Sequence, residues 1–223
     1  MSNIGDEIRT QMPADLAAFA LDAQGRYQAQ WRSHAYRTVP LHRRYFKLMA
    51  EVERDIDAAV AATSKTVPCR KGCSACCRSH RIVVTQSEAL ILVDHIAGLD
   101  APQREALLRR IRAAAAPTAE QSGVACALLH DDACSVHAAR PITCRSYVSV
   151  SLQQCTDYLA GAGGQPEILA LPLAAQFVAV RIARVDKSPR YEINAILARL
   201  YGDEALLSRW LADEPSFERD IAV

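Results

Sequence analysis

Cys69-Arg-Lys-Gly-Cys73-Ser-Ala-Cys76-Cys77 places four thiols within nine residues. A second set follows at Cys126, Cys134, His137 and Cys144, with Cys155 trailing behind it. All eight cysteines lie between positions 69 and 155, and none falls in the first 68 or last 68 residues. Thiolates are the soft donors that hold zinc, copper(I) and iron–sulfur clusters, so the chain reads as organised around a metal centre. Free buried thiols are common singly and do not explain a group of four. A disulfide framework would need an oxidising compartment that nothing in the sequence advertises.

The spacing sharpens this reading. Three residues separate Cys69 from Cys73 and two separate Cys73 from Cys76, which lets a tight loop wrap one ion, with Gly72 supplying backbone freedom. Cys76 and Cys77 are neighbours, and neighbouring side chains point to different sides. Cys77 is therefore expected to serve a second metal, another iron of a cluster, or a supporting role. Downstream, Cys134 and His137 stand at i and i+3 and face one site if that segment is helical. Pro141 is suited to start a helical turn, and Cys144 would then lie in its first turn, where the helix dipole favours a thiolate. Arg70, Lys71, Arg78, Arg140 and Arg145 crowd the cysteines and are expected to offset thiolate charge and lower thiol pKa values. The ligand set expected from the residues is Cys69, Cys73, Cys76, Cys77, Cys126, Cys134 and Cys144, with Cys155 and His137 behind them. More than four thiolates exceed one mononuclear zinc site, which favours an iron–sulfur cluster or a two-metal arrangement.

The rest of the sequence excludes more than it proposes. A formal charge of +1 argues for no nucleic-acid, membrane-surface or acidic partner, although a protein partner remains open. Met1 to Ala20 lacks the basic flank and apolar core of a secretory signal. The longest apolar run, Ile168 to Val180, is too short to span a bilayer, and a cytoplasmic protein is expected. No Ser/His/Asp arrangement, phosphate loop, His-Glu-x-x-His helix or dinucleotide fingerprint is found, so whether the chain is an enzyme stays open. Between Arg26 and Lys47 six basic residues and no acid are interleaved with five aromatics. This reads as a solvated face opposite an aromatic core face rather than as an anion-binding patch.

An Ala-, Leu- and Arg-rich composition points to an all-α fold, an irregular helical domain wrapped around the cysteine-ligated centre. A single domain is expected, with an N-terminal helical region over 1–66, a cysteine core over 67–158 and C-terminal helices over 165–223. Helices are predicted over 13–36, with a possible break at Gly25, and over 41–62 with Leu41, Tyr45, Leu48, Val52, Ile56, Ala59 and Val60 as one buried stripe. The Thr85-Gln-Ser-Glu88 capping box starts another, which Gly98 closes. A helix from Asp100 to Pro117 is expected to pair with it as a hairpin. Residues 81–85 form a β-branched strand with no evident partner. Asp131-Asp132 marks a turn and 161–166 a linker. Leu173–Val185, Tyr191–Leu200 and a segment ending at Leu211 complete the helices.

The combination Cys69-x3-Cys73-x2-Cys76-Cys77, Cys126, Cys134-x2-His137-x2-Arg140-Pro141-x2-Cys144-Arg145 resembles the YkgJ-type cysteine-cluster family over about residues 67 to 158. That resemblance implies a zinc- or iron-chelating domain, not a reaction. Its first spacing is three where the family signature has two, and His137 stands where many members carry Tyr. A related cysteine arrangement occurs in flagellin lysine methylases in association with an iron–sulfur cluster. An iron–sulfur-dependent protein-modification enzyme is one alternative this raises; a structural zinc module acting as an interaction scaffold is another.

Overall fold

Helix-forming residues with apolar steps of three and four dominate the chain, and the computed structural model is correspondingly mainly α. It describes residues 3–33, 39–79, 82–114, 125–184 and 188–212. A short helix and two long ones come first: α1 (Ile4–Gln11), α2 (Ala14–Arg32) and α3 (Leu41–Ala62). Asn3 caps α1, its side chain accepting from the Gly5 N–H at 3.0 Å. That helix was not predicted. Gly25 does not interrupt α2, and the predicted extension to residue 36 lies outside the described residues. In α3 the stripe Tyr45, Leu48, Val52, Ile56 and Ala59 is buried as predicted, joined by His42 and Met49. Leu41 departs from it at 40% exposure, because the stripe begins one helical step later.

The cysteine region then runs through α4 (Ala75–Ser79), β1 (Val83–Val84), α5 (Gln86–Ala97) and α6 (Ala101–Ala114). The capping box forms in full at Thr85 and Glu88. Gly98 ends α5 at φ −81°, in the right-handed region rather than the left-handed one a C-terminal glycine usually supplies. Asp100 starts α6, accepting from the Gln103 N–H at 2.9 Å. The predicted stop at Pro117 and loop at 118–123 lie outside the described residues. The main packing partner of α6 is a C-terminal helix, not α5, so the expected hairpin is a chain connection rather than a packed pair.

After it come the hairpin β2 (Leu129–His130) and β3 (Ala133–Cys134), a 3-10 turn at His137–Ala139, α7 (Ile142–Ser146) and α8 (Leu152–Leu159). Asp131 and Asp132 make the hairpin turn with φ of 47° and 57°, the conformation a two-residue hairpin loop demands and short polar side chains tolerate. The last helices are α9 (Ala170–Ala183), α10 (Ile193–Gly202) and α11 (Glu204–Leu211). Strand β4 (Tyr191–Glu192) displaces the predicted start of α10, which Glu192 caps by accepting from the Ala195 N–H at 2.8 Å. It also supplies the missing partner of β1, pairing Val83 with Glu192 and Val84 with Tyr191 antiparallel.

Helix α9 lies across α2 and α3, α3 packs on α5, and α10 packs on α6 and α11. One hydrophobic cluster runs through these elements from Ile8 to Trp210. Among the described residues no helix is long and apolar enough to cross a membrane.

Candidate metal centre

All eight cysteines are free thiols. They arrive on separate segments, each fixed by its own local chemistry. After Val67-Pro68 the chain turns through 70–73. There the Cys73 N–H donates to the Arg70 carbonyl at 2.9 Å, and Gly72 takes φ 95°, where an L side chain is strained. Cys69 is held across the chain, its sulfur accepting from the Ser149 N–H at 3.3 Å. Cys76 and Cys77 share α4. The two thiols interact, Cys77 being the largest influence that lowers the Cys76 pKa. A turn of helix separates adjacent side chains by only about a quarter-turn, and rotation about χ1 closes that gap.

The second half is stitched to the first through the backbone, the Cys126 N–H donating to the Cys77 carbonyl at 2.8 Å. Cys126 and Cys134 repeat one device, each sulfur facing the amide two residues on, at Leu128 and Val136. Such N–H···S bonds stabilise negative sulfur and orient it. Arg78 closes the hairpin against α4, bonding to Ser74 at 3.2 Å and pairing with Asp132, so its charge is used there. Cys144 stands in the first turn of α7, after Pro141, as the motif implies. Cys155 lies on α8, which packs against α4, and acts electrostatically on Cys69.

Two groups of sulfur result. Cys77, Cys126, Cys134 and Cys144 form the inner group, and Cys69, Cys73 and Cys155 the outer one. Cys76 connects them: its charge raises the pKa of Cys69, Cys77, Cys126, Cys134 and Cys144 alike. Cys76 itself is lowered to about 7, first by the hydrogen bond from Cys77, then by its own and the Cys77 amide and by Arg140, against the opposing effect of burial. Burial pushes Cys126 up to about 12 and Cys144 well above its ordinary value. The dipole of so short a helix does not offset that burial, contrary to the expectation for Cys144. Cys76 is thus depressed while all four inner thiols are raised. Among the described residues no three His, Cys, Asp or Glu side chains form a closed ligand cage as they stand. The thiols are grouped within electrostatic reach rather than at ligand distances.

His137 does not take the geometry expected of it with Cys134. Cys134 is on a strand and His137 begins a 3-10 turn, so the helical i, i+3 geometry does not form. Burial lowers its pKa most, followed by Arg140, with Glu53 opposing.

The supports of the second half include three residues the sequence did not single out, Glu53, Asn194 and Arg110. Arg145, 4% exposed, donates to the Arg140 carbonyl at 2.8 Å and to the Ala138 carbonyl, and pairs with Glu53 of α3. Arg140 reaches the same carboxylate at 3.2 Å. The two arginines therefore dock the Cys144 loop on α3, and Arg145 also attracts Cys144 electrostatically. Glu88, inside its capping box, also accepts from the Ile142 N–H at 3.0 Å and so fixes the start of α7. Asn194 of α10 accepts from the Ala127 N–H at 2.8 Å and bonds the Ala125 carbonyl, gripping the Cys126 loop from both sides. Arg110 of α6 holds the Ala127 carbonyl at 3.2 Å and Ser135 Oγ at 2.8 Å. No local sequence pattern marks Glu53, Asn194 or Arg110, because each works across a long separation. Glu88 was visible only as a cap.

Residues 68–162 match the model of the CxxCxxCC family, described as a "putative zinc- or iron-chelating domain". The matched segment is less than half of the chain and includes all eight cysteines. No curated protein and no solved structure matches the chain.

Proposed function

We propose that this chain, carrying a CxxCxxCC domain over residues 68–162, is a metal-chelating protein whose centre is assembled by cysteines of both halves. The observation that carries the reading is the convergence of five sulfurs, Cys76, Cys77, Cys126, Cys134 and Cys144, from four chain segments onto one electrostatic neighbourhood. Burial of that many thiols costs little only while they stay protonated. A bound cation reverses the balance by taking the negative charge the thiols avoid.

The inner quartet would supply the ligands of one site. Cys76 would be shared with Cys69, Cys73 and Cys155, so eight sulfurs suit an iron–sulfur cluster or a pair of metal ions better than one zinc. The amides facing Cys69, Cys126 and Cys134 would then hydrogen-bond ligand sulfur and tune a cluster's potential. His137, set beside Arg140 and Glu53, supports the loop rather than the ion. The three regions 1–66, 67–158 and 165–223 are read as one unit, because α3 and α10 both hold cysteine loops.

The deciding experiment is metal and acid-labile sulfide analysis, with visible absorption, on protein purified without oxygen. Brown protein with iron and sulfide establishes a cluster and makes modification chemistry worth assaying. Colourless protein with stoichiometric zinc establishes a chelating or scaffold site. Protein that binds neither metal sinks the reading.

A further inference from the structure

A cleft of about 580 Å³ opens where the ends of α2, α3 and α9 meet. Four arginines line it, Arg32, Arg44, Arg181 and Arg184, and among the described residues no acid does. In a chain of net charge +1 that is a marked local concentration. It draws Arg32 and Arg44 from the basic, aromatic stretch read above as a solvated face. That reading holds for Arg26 and Arg43, which pair with Asp55 and Asp94 at the surface, and for the buried Tyr27 and Tyr45. It does not account for the cleft, because Arg181 and Arg184 join from the far end of the sequence.

Arg44 and Arg181 are held in place, and Arg32 and Arg184 stand exposed at the rim. The Arg44 guanidinium stacks over Trp31 at 4.4 Å, and its Nε is buried without a hydrogen-bond partner. Arg181 stacks over Phe177 at 4.9 Å and pairs with Glu7 at 2.8 Å. Arg184 ends α9 at φ 58°, a conformation that favours glycine, yet the position carries a long cationic side chain. Four guanidinium groups around a partly apolar cleft repel one another, and one flanking carboxylate offsets only part of that repulsion. A bound anion relieves it, in a geometry that guanidinium forks match to phosphoryl oxygens. The volume is that of a small-molecule site.

We propose that this cleft binds a small soluble anion bearing phosphoryl groups, at a site separate from the cysteines and independent of their metal. The test is calorimetric titration of the full chain with inorganic pyrophosphate, at ionic strength matched with sodium chloride, for the wild type and for the Arg32→Gln/Arg184→Gly double variant. Arg184→Gly relaxes the left-handed position, so an unchanged Tm confirms that the variant is folded. The expected result is wild-type binding that weakens about tenfold or more in the variant. A single variant, Arg44→Gln, gives an independent reading should the double variant fold poorly. Absence of pyrophosphate binding, equal affinity in the variants, or binding only to anionic vesicles or to a DNA oligomer would each overturn the proposal.

Discussion

The two cysteine groups are built in different ways. The outer sulfurs, Cys69, Cys73 and Cys155, depend on local turns and on one long-range bond, from the Ser149 amide to Cys69. Helix α8, which carries Cys155, contributes no buried residue. Three of the inner sulfurs, at Cys126, Cys134 and Cys144, sit on segments gripped by side chains from elsewhere: Glu53 from α3, Glu88 from α5, Arg110 from α6 and Asn194 from α10. A ligand set held by distant helices is positioned before a metal arrives. One held by its own turns is free to adjust around the ion. In the centre proposed above, the inner group would be the fixed half and the outer group the adaptable half.

The harshest trial of that contrast is Glu53→Ala, which leaves the buried Arg145 unpaired. It is expected to cost about 3 kcal/mol, lowering Tm by roughly 6–12 °C in calorimetry, and to abolish stoichiometric metal. Asn194→Ala should cost about 1–3 kcal/mol through the orphaned Ala127 amide, and speed metal release to a chelator while the fold persists. If Asn194→Ala retains metal as the wild type does, the inner loops are not fixed from α10. Next, Cys144→Ser is expected to reduce bound metal to background, while Cys155→Ser retains most of it by elemental analysis. Equal losses would erase the distinction between the groups.

Smallest is a pH effect in the metal-free protein. Cys76 is depressed from 9.0 to about 7, so its contribution to stability is complete above 9 and is lost as pH falls through 7. The raised thiols, Cys126 and Cys144 above all, act oppositely, withdrawing stability as pH rises beyond 9. Alkylation followed by peptide mapping should label Cys76 first, with half-maximal rate near pH 7. Labelling that begins at another cysteine would deny Cys76 its place as the shared thiolate.

How far the sequence was legible follows from range. The α3 stripe, the Thr85–Glu88 box, the Asp131-Asp132 turn and the capped start of α6 depend on residues within a few positions of one another, and each appears where its pattern places it. Misreadings arose where a distant partner decides. Tyr191 reads as the start of a helix capped by Ser188-Pro189, yet it pairs as a strand with Val84. The α5–α6 hairpin failed for the same reason, since α10 claims α6.

At the centre, residue type and spacing determined that soft ligands are gathered, and that Cys144 starts a helical turn behind Pro141. Thiol chemistry and proline geometry are properties of the residues themselves. Only the tertiary structure decided that Arg140 and Arg145 pair with Glu53 of α3, that Asn194 and Arg110 hold the Cys126 loop, and that β4 pairs with β1. Those outcomes depend on burial and on long-range contacts, which exist only once the helices have packed.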